Sequence, residues 1–277
     1  MTELTLTQYS LVYNALSFTF ACMFASFIFF VLARQQVAPK YRMALVMSAL
    51  VVAVAGYHYL RIFESWQSAF TIDPASGAYL ASGSPFNDAY RYIDWLLTVP
   101  LLVAELVAVM GLAKAQASRL TLTLGGAAAL MVILGYPGEI ATDNGTRALW
   151  GFLSTLPFIF IVYTLFFQLR GVIEKQVGEV RVLLRNTRLL LLATWGFYPI
   201  VYMLPFLSTG LTPDAVVAIQ IGYCIADVAA KCGYGLMIYS IARAKSQAEG
   251  WTEDAALNGT RAIEDGAPTV AAKVTLN

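Results

Sequence analysis

The chain has 277 residues, of which 58% are hydrophobic and 13% are charged, and its formal net charge at pH 7 is +1. A soluble domain normally has about a quarter of its residues charged, so this composition predicts an integral membrane protein instead. The near-zero net charge gives no reason to expect a nucleic-acid partner. A single histidine, and three cysteines that all lie in apolar stretches, argue against a metal site.

Apolar stretches long enough to cross a bilayer, which takes ~20 residues, recur along the whole chain. They lack the strict polar–apolar alternation that is typical of strands. Because only helices and closed barrels satisfy the backbone in lipid, these lengths predict an all-α fold, a bundle of seven transmembrane helices. The predicted spans are residues 9–33, 43–66, 88–112, 119–137, 147–169, 184–207 and 214–242.

Lysine and arginine are concentrated in alternate connections. The loops after spans one, three and five and the exit after span seven are rich in them, whereas the other three loops hold only Arg147. The positive-inside rule therefore predicts that the N-terminus is outside and the C-terminus is cytoplasmic. In the outer loop 67–87, Pro74, Gly77 and Gly83 separate two short runs, which predicts a small external hairpin.

The spans leave little room for other domains. Residues 1–243 are expected to form one membrane domain, and the polar tail, residues 244–277, is expected to be disordered. The first eight residues have no basic region and no cleavage site, so we expect no removable signal peptide.

The last span carries Lys231 near its middle, with Asp227 one helical turn before it. A lysine at that depth costs ~3 kcal/mol or more, and from mid-span its side chain does not reach water. Residues four apart share a helix face, so the two charges are expected to be close. Two states make such a lysine tolerable: an ammonium in an ion pair, or an amine consumed in a covalent bond.

Span three adds Arg91, Asp94, Thr98 and Glu105. Eleven positions separate the two carboxyls, which brings them back to nearly the same side of a helix ~16 Å apart along its axis. Thr98 is one turn from Asp94 on that side. An acid on each side of a buried amine is the arrangement that a proton relay needs.

Each of these residues also has a simpler explanation when it is taken alone. A single carboxyl in a span can be a protonated packing residue, and His58 can be a hydrogen-bonded core residue. Arg61 and Glu64 approach the outer interface and are read as solvated or paired. An aromatic stripe is more often core than a cofactor pocket, and Pro199 is expected to kink span six and free a carbonyl.

At these residues the chain resembles the microbial rhodopsins, and specifically the proteorhodopsin and xanthorhodopsin group of light-driven proton pumps. The motifs are RYIDWLLTVPLLVAE at 91–105, WGFYP at 195–199 and DVAAK at 227–231, with GYPGE at 135–139 in support. The resemblance covers all seven predicted spans and leaves out only the tail.

The resemblance implies a role for each charged residue. Lys231 would carry all-trans retinal as a protonated Schiff base, with Asp94 and Asp227 as counterions. Asp94 would accept the Schiff-base proton after light absorption, and Glu105 would return a proton from the cytoplasmic side. Thr98 would hydrogen-bond to Asp94, and His58 would pair with it. The remaining charged member of the site is Arg91.

The resemblance also implies a retinal pocket. Trp95, Trp195 and Tyr198 would enclose the polyene, and leucine at position 102 goes with green absorption. Gly151 would open a window for a carotenoid antenna, although close helix packing explains a small residue there equally well. The expected pocket residues are Tyr92, Trp95, Leu102, Met131, Gly135, Trp150, Gly151, Ser154, Trp195, Tyr198 and Lys231.

The function that this implies is an outward, light-driven proton pump rather than an enzyme, multi-pass in the plasma membrane of a bacterium and assembled as a pentamer or trimer. A photosensor with the same fold could dispense with Glu105. A chloride pump would want a neutral residue in place of Asp94, and a sodium pump would want an Asn-Asp-Gln set at positions 94, 98 and 105. A chemical transporter or receptor would keep Lys231 as a free amine.

Overall fold

The computed structural model describes residues 3–207 and 212–251. Within these residues the chain forms seven helical stretches long and apolar enough to cross a membrane, which confirms the predicted bundle. The single-helix spans are α1 (Leu6–Ala33), α2 (Arg42–Ala69), α3 (Tyr90–Val109) and α4 (Lys114–Glu139). The divided spans are α5 (Asn144–Tyr163) with α6 (Arg170–Glu174), α7 (Gly178–Trp195) with α8 (Phe197–Leu207), and α9 (Pro213–Asp227) with α10 (Tyr234–Ala248).

Local sequence accounts for where several helices begin and where one span bends. Thr5 and Gln8 form a reciprocal capping box at the start of α1, and Thr212 caps α9 just before Pro213. The sixth span is interrupted between α7 and α8, just before Pro199, which has no N–H to donate to the carbonyl four residues earlier. The interruption lies within one turn of Pro199, the position at which a kink was expected.

Successive helices from α1 to α5 pack against one another, and α9 packs against α1 and closes the bundle. Large apolar side chains cover the outside, including Phe18, Leu122 and Phe152, which are 63–74% exposed. Because lipid is as apolar as these side chains, their exposure suits a surface that faces the hydrocarbon core of a bilayer. The buried interior contains the charged residues discussed below.

The connection after α2 contains the predicted hairpin. Strands β1 (Phe70–Ile72) and β2 (Tyr79–Ala81) are antiparallel, with Thr71 opposite Leu80. Leu4 bridges to Tyr79, whose ring stacks on Tyr9 with centroids 3.7 Å apart, so the hairpin is attached to the start of α1.

At the other end of the chain, α10 continues through Ala248, five residues past the boundary expected at 243. Residues 252–277, which hold most of the tail expected to be disordered, lie outside the described residues.

Candidate functional site

Lys231 lies between two carboxylates at the centre of the bundle. Its Nζ is 3.0 Å from Oδ2 of Asp94 on α3 and 2.8 Å from Oδ1 of Asp227 at the end of α9. All three side chains are buried, with at most 2% of their surface exposed. Lys231 itself lies in a π-helical turn, Val228–Gly233, a local widening of the helix that often marks functional sites. The sequence-based expectation of an ion pair one turn apart is met.

The two carboxylates have different surroundings. Asp227 accepts hydrogen bonds from the hydroxyls of Tyr59, at 2.7 Å, and of Tyr198. Within the described chain, the Asp94 oxygens accept no hydrogen bond from any group other than Lys231. Asp227 is therefore anchored as an anion by three donors, whereas Asp94 depends on the lysine alone.

The two expected partners of Asp94 hydrogen-bond backbone carbonyls and not its carboxylate. Thr98 donates to the backbone carbonyl of Asp94, at 2.8 Å, and not to its carboxylate. This bond to the carbonyl four residues earlier is the usual arrangement for a threonine inside a helix. Nδ1 of His58 lies 2.9 Å from the carbonyl oxygen of Val54, and no hydrogen bond from His58 to Asp94 is recorded. His58 is 6% exposed and lies on the same helix, α2, as Tyr59.

Arg91 lies one turn from Asp94 on α3, with 2% of its surface exposed. It donates to Oε1 of Gln220 at 2.6 Å and pairs with Asp88 at 3.4 Å. Its guanidinium also lies over the ring of Tyr223, 4.5 Å from the ring centroid. The hydrogen bond, the ion pair and the aromatic ring together offset the free-energy cost of removing this guanidinium from water.

Glu105 is fully buried on α3, eleven residues beyond Asp94. Its Oε2 is hydrogen-bonded to the hydroxyl of Ser48 on α2, and its Oε1 has no partner within residues 3–207 and 212–251. No lysine or arginine described by the structure lies within 4.0 Å of it. An ionised carboxylate would be costly in these surroundings, which suit the protonated acid instead.

A cavity of about 470 Å³ extends from Lys231 towards α4 and α5. A volume of this size suits one small-molecule ligand, and its walls are mostly aromatic and aliphatic. The lysine at one end and the apolar walls therefore fit retinal bound covalently through Nζ. The expected pocket residues that line the cavity are Tyr92, Trp95, Leu102, Met131, Gly135, Gly151, Ser154, Trp195, Tyr198 and Lys231.

Trp150 is not among the lining residues; its Cβ packs close to Gly138. Gly151 lines the cavity, and a Cβ added there would lie 2.7 Å from the ring of Tyr202. The glycine therefore allows this tyrosine to approach α5, which is the packing explanation for a small residue. At the interface, Arg61 and Glu64 form the expected pair at 2.7 Å.

Three residues that hydrogen-bond an ionisable residue of the site were not predicted from the sequence: Tyr59, Gln220 and Ser48. The available signal was weak: each is a hydrogen-bonding residue within an apolar span. Such residues are common in membrane helices, where they also bond to their own backbone. Only the relative rotation of neighbouring helices shows which of them faces a charge.

Comparison with known proteins agrees with this geometry. The profile of the bacteriorhodopsin-like protein family matches residues 12–245. The structure is similar to that of xanthorhodopsin, described as a light-driven ion pump with dual chromophore, at 58% identity and a TM-score of 0.88, covering 91% of this chain and 100% of that one. Archaerhodopsin-2 of Halobacterium sp. (strain aus-2) is 31% identical over 68% of each chain. A green-light absorbing proteorhodopsin of Gamma-proteobacterium EBAC31A08 is 27% identical, over 80% of this chain and 82% of that one.

These matches span the helical bundle and the site within it. Proteins of this family bind retinal on a lysine, and Lys231 is the lysine that ends the cavity. The chain therefore belongs to the bacteriorhodopsin-like protein family, the microbial rhodopsins, a family of membrane-embedded, light-driven ion pumps rather than of enzymes.

Proposed function

We propose that this protein is a light-driven pump that moves protons outward across the membrane. The observation that carries the proposal is the placement of two carboxyls at one buried amine and of a third farther along the same helix as one of them. Asp94 and Asp227 contact Lys231, and Glu105 is buried farther along the helix that carries Asp94. Retinal bound to Lys231 would supply light absorption and a protonated nitrogen at the position of Nζ.

Asp94 is the proposed proton acceptor. Protonating Asp227 would weaken three charge-assisted hydrogen bonds, from Tyr59, Tyr198 and Lys231, whereas protonating Asp94 would weaken only the contact with Lys231. Charge-assisted bonds contribute ~1.5–3 kcal/mol each. A proton leaving the nitrogen between the two carboxylates is therefore accepted more readily by Asp94, while Asp227 remains the fixed anion.

Glu105 is the proposed proton donor. Its burial, and the lack of a cationic partner among the residues that the structure describes, favour the protonated acid at rest. The hydroxyl of Ser48 can stabilise the carboxylate that forms when the proton leaves. The amine contacts the acceptor, Asp94, and the donor, Glu105, is eleven residues farther along α3. The amine therefore lies nearer to the acceptor than to the donor. A donor on one side and an acceptor on the other give net transport in one direction.

The direction follows from the orientation of the bundle, which we infer from the loops. Arg34, Lys40 and Arg42 mark the cytoplasmic side, where the C-terminus also lies, and α3 then runs from outside to inside. Asp94 lies on the outer half of α3 and Glu105 on the inner half. The proposed location is the plasma membrane, as a multi-pass protein of a bacterial inner membrane.

Two further parts of the proposal concern partners. The similarity to xanthorhodopsin, with its dual chromophore, supports a carotenoid beside Gly151. The contact between Gly151 and Tyr202 means that this ring would border the carotenoid. A homo-oligomer, a pentamer or a trimer, remains a prediction from the resemblance.

Illumination of bacteria that express the full chain with retinal tests the proposal. In an unbuffered suspension we expect external acidification that a protonophore abolishes. Asp94→Asn should remove it, and Glu105→Gln should slow the cycle and keep the direction. Lys231→Ala should remove the visible absorption band.

The alternatives give different results in the same experiment. A coloured protein without a pH change would overturn the pump proposal in favour of a photosensor. A pH change that a protonophore enhances would indicate transport of another ion. Absence of colour with added retinal would contradict the assignment of Lys231.

A further inference from the structure

The short loop between α1 and α2 is fastened to the end of α10. The backbone N–H of Ala38 donates to the hydroxyl of Ser246 at 2.8 Å. Glu249 accepts a hydrogen bond from the hydroxyl of Tyr41 at 2.8 Å, and it forms an ion pair with Lys40, also at 2.8 Å. These contacts with the end of α10 therefore fix the position of the loop and of the side chains that flank it.

A cavity of about 330 Å³ opens beside this loop, separate from the cavity at Lys231. Met43, one of its walls, is 62% exposed on the outside of the bundle. The cavity has a polar end, where the helices leave the membrane, and an apolar side along the first turn of α2. Its lining residues are Arg34, Gln35, Pro39, Arg42, Met43 and Val46.

The two arginines of this cavity carry uncompensated charge. Neither Arg34 nor Arg42 has a carboxylate within 4.0 Å in the part of the chain that the structure describes. The recorded side-chain bond of Arg42 is to the backbone carbonyl of Val37, at 3.4 Å. By contrast, Arg170 is paired with Glu174 at 2.6 Å. Two guanidinium groups at one cavity attract an anion, and their planar geometry matches the oxygens of a phosphate.

We propose that this cavity binds the head group of one anionic glycerophospholipid, with its phosphate between Arg34 and Arg42. The first part of an acyl chain would lie along Met43 and Val46. The apolar side favours a lipid over free phosphate, because only a lipid fills both parts of the cavity. Basic pockets at helix ends on the cytoplasmic side are typical of such binding. The site does not depend on proton transport.

Native mass spectrometry of the full, retinal-bound protein in detergent tests the site. Phosphatidylglycerol and phosphatidylcholine are titrated, and the dissociation constant of the first bound lipid is measured. We expect phosphatidylglycerol to bind more tightly, and Arg34→Gln and Arg42→Gln to weaken its binding about fivefold each and about twenty-five-fold together. The visible absorption band should be unchanged, which reports that the variants fold.

A matched control removes two other exposed positive charges from the same end of the bundle. Arg181→Gln with Arg185→Gln should leave the first dissociation constant within about twofold of the wild type. An equal loss in both double variants would overturn the proposal, because the attraction would then be that of the charged surface as a whole. Equal affinity for the two lipids, or competition by millimolar inorganic phosphate that displaces the lipid, would also overturn it.

Discussion

Tyr59→Phe tests whether Asp227 is ionised in the resting protein. Tyr59 is fully buried, and its hydroxyl donates to the carboxylate of Asp227 at 2.7 Å and lies 3.1 Å from the backbone carbonyl of Tyr223. Phenylalanine preserves the packing of the ring and removes only the hydroxyl. The change in the free energy of unfolding therefore measures what the hydroxyl contributes, which is mainly the shorter bond to Asp227.

The magnitude distinguishes a charged acceptor from a neutral one. A hydrogen bond to a charged group contributes ~1.5–3 kcal/mol, whereas bonds between helices in membranes average ~0.6 kcal/mol. With an anionic Asp227 we expect a loss of ~2 kcal/mol. With a neutral Asp227 the loss should stay near ~0.6 kcal/mol.

Equilibrium unfolding of the retinal-bound protein in mixed micelles, with increasing dodecyl sulfate and the visible band as the signal, gives this energy. Tyr223→Phe is the matched control, because among residues 3–207 and 212–251 the hydroxyl of Tyr223 makes no hydrogen bond, although the residue itself is buried. Equal, small losses in the two variants would refute the argument that Asp227 is the fixed anion. The choice of Asp94 as acceptor would then lose its structural basis.

Three further predictions concern the inner half of the bundle. Ser48→Ala removes the hydroxyl that bonds Glu105 and should slow proton return about tenfold in flash photolysis, because a bond to a forming charge is lost. Gly111→Ala should cost ~1–2 kcal/mol in the same unfolding assay, since its φ is +74° and a Cβ would lie 3.0 Å from Nζ of Lys245. Burial raises the pKa of Glu249, but hydrogen bonds from the loop lysine and tyrosine lower it below its usual value. The stability that this carboxylate adds is therefore fully present above about pH 4.3, the pKa of a glutamate in the unfolded chain. It is lost as the pH falls through the lower pKa of Glu249 in the folded protein. Acid should thus lower the melting temperature of the wild type more than that of Glu249→Gln.

The spans could be predicted because lipid leaves the backbone few choices. A run of ~20 apolar residues in a bilayer has to be helical, whatever its neighbours are. The ends were less predictable, since they depend on caps and on contacts outside the membrane. The last helix continues to Ala248 because Ser246 and Glu249 bond the loop after α1, a contact between residues about 200 positions apart.

Within the site, contacts inside one helix follow from spacing alone, whereas the contact of Lys231 with Asp94 on α3 was expected only from the resemblance. The pair Asp227–Lys231 follows from a spacing of four, and it survives the local widening into a π-helical turn. The donors Tyr59 and Gln220 reach the site from other helices, and their direction depends on how each helix is rotated about its axis. Thr98 donates to the backbone carbonyl of Asp94, a bond to the residue four positions earlier that helix geometry alone allows.

The distribution of partners along α3 also opposes an inward flow of protons through the proposed pump in the dark. Inward flow through the same groups would begin with a proton on Asp94, which would forgo the 3.0 Å contact with Lys231. The proton would then have to pass the buried Leu102 and Val103, which precede Glu105 on α3. Glu105 would have to be ionised to accept it, although one of its buried carboxyl oxygens has no hydrogen-bond partner among the described residues. Each of these states is costly, so the resting arrangement that favours outward transfer after light also opposes the reverse flow.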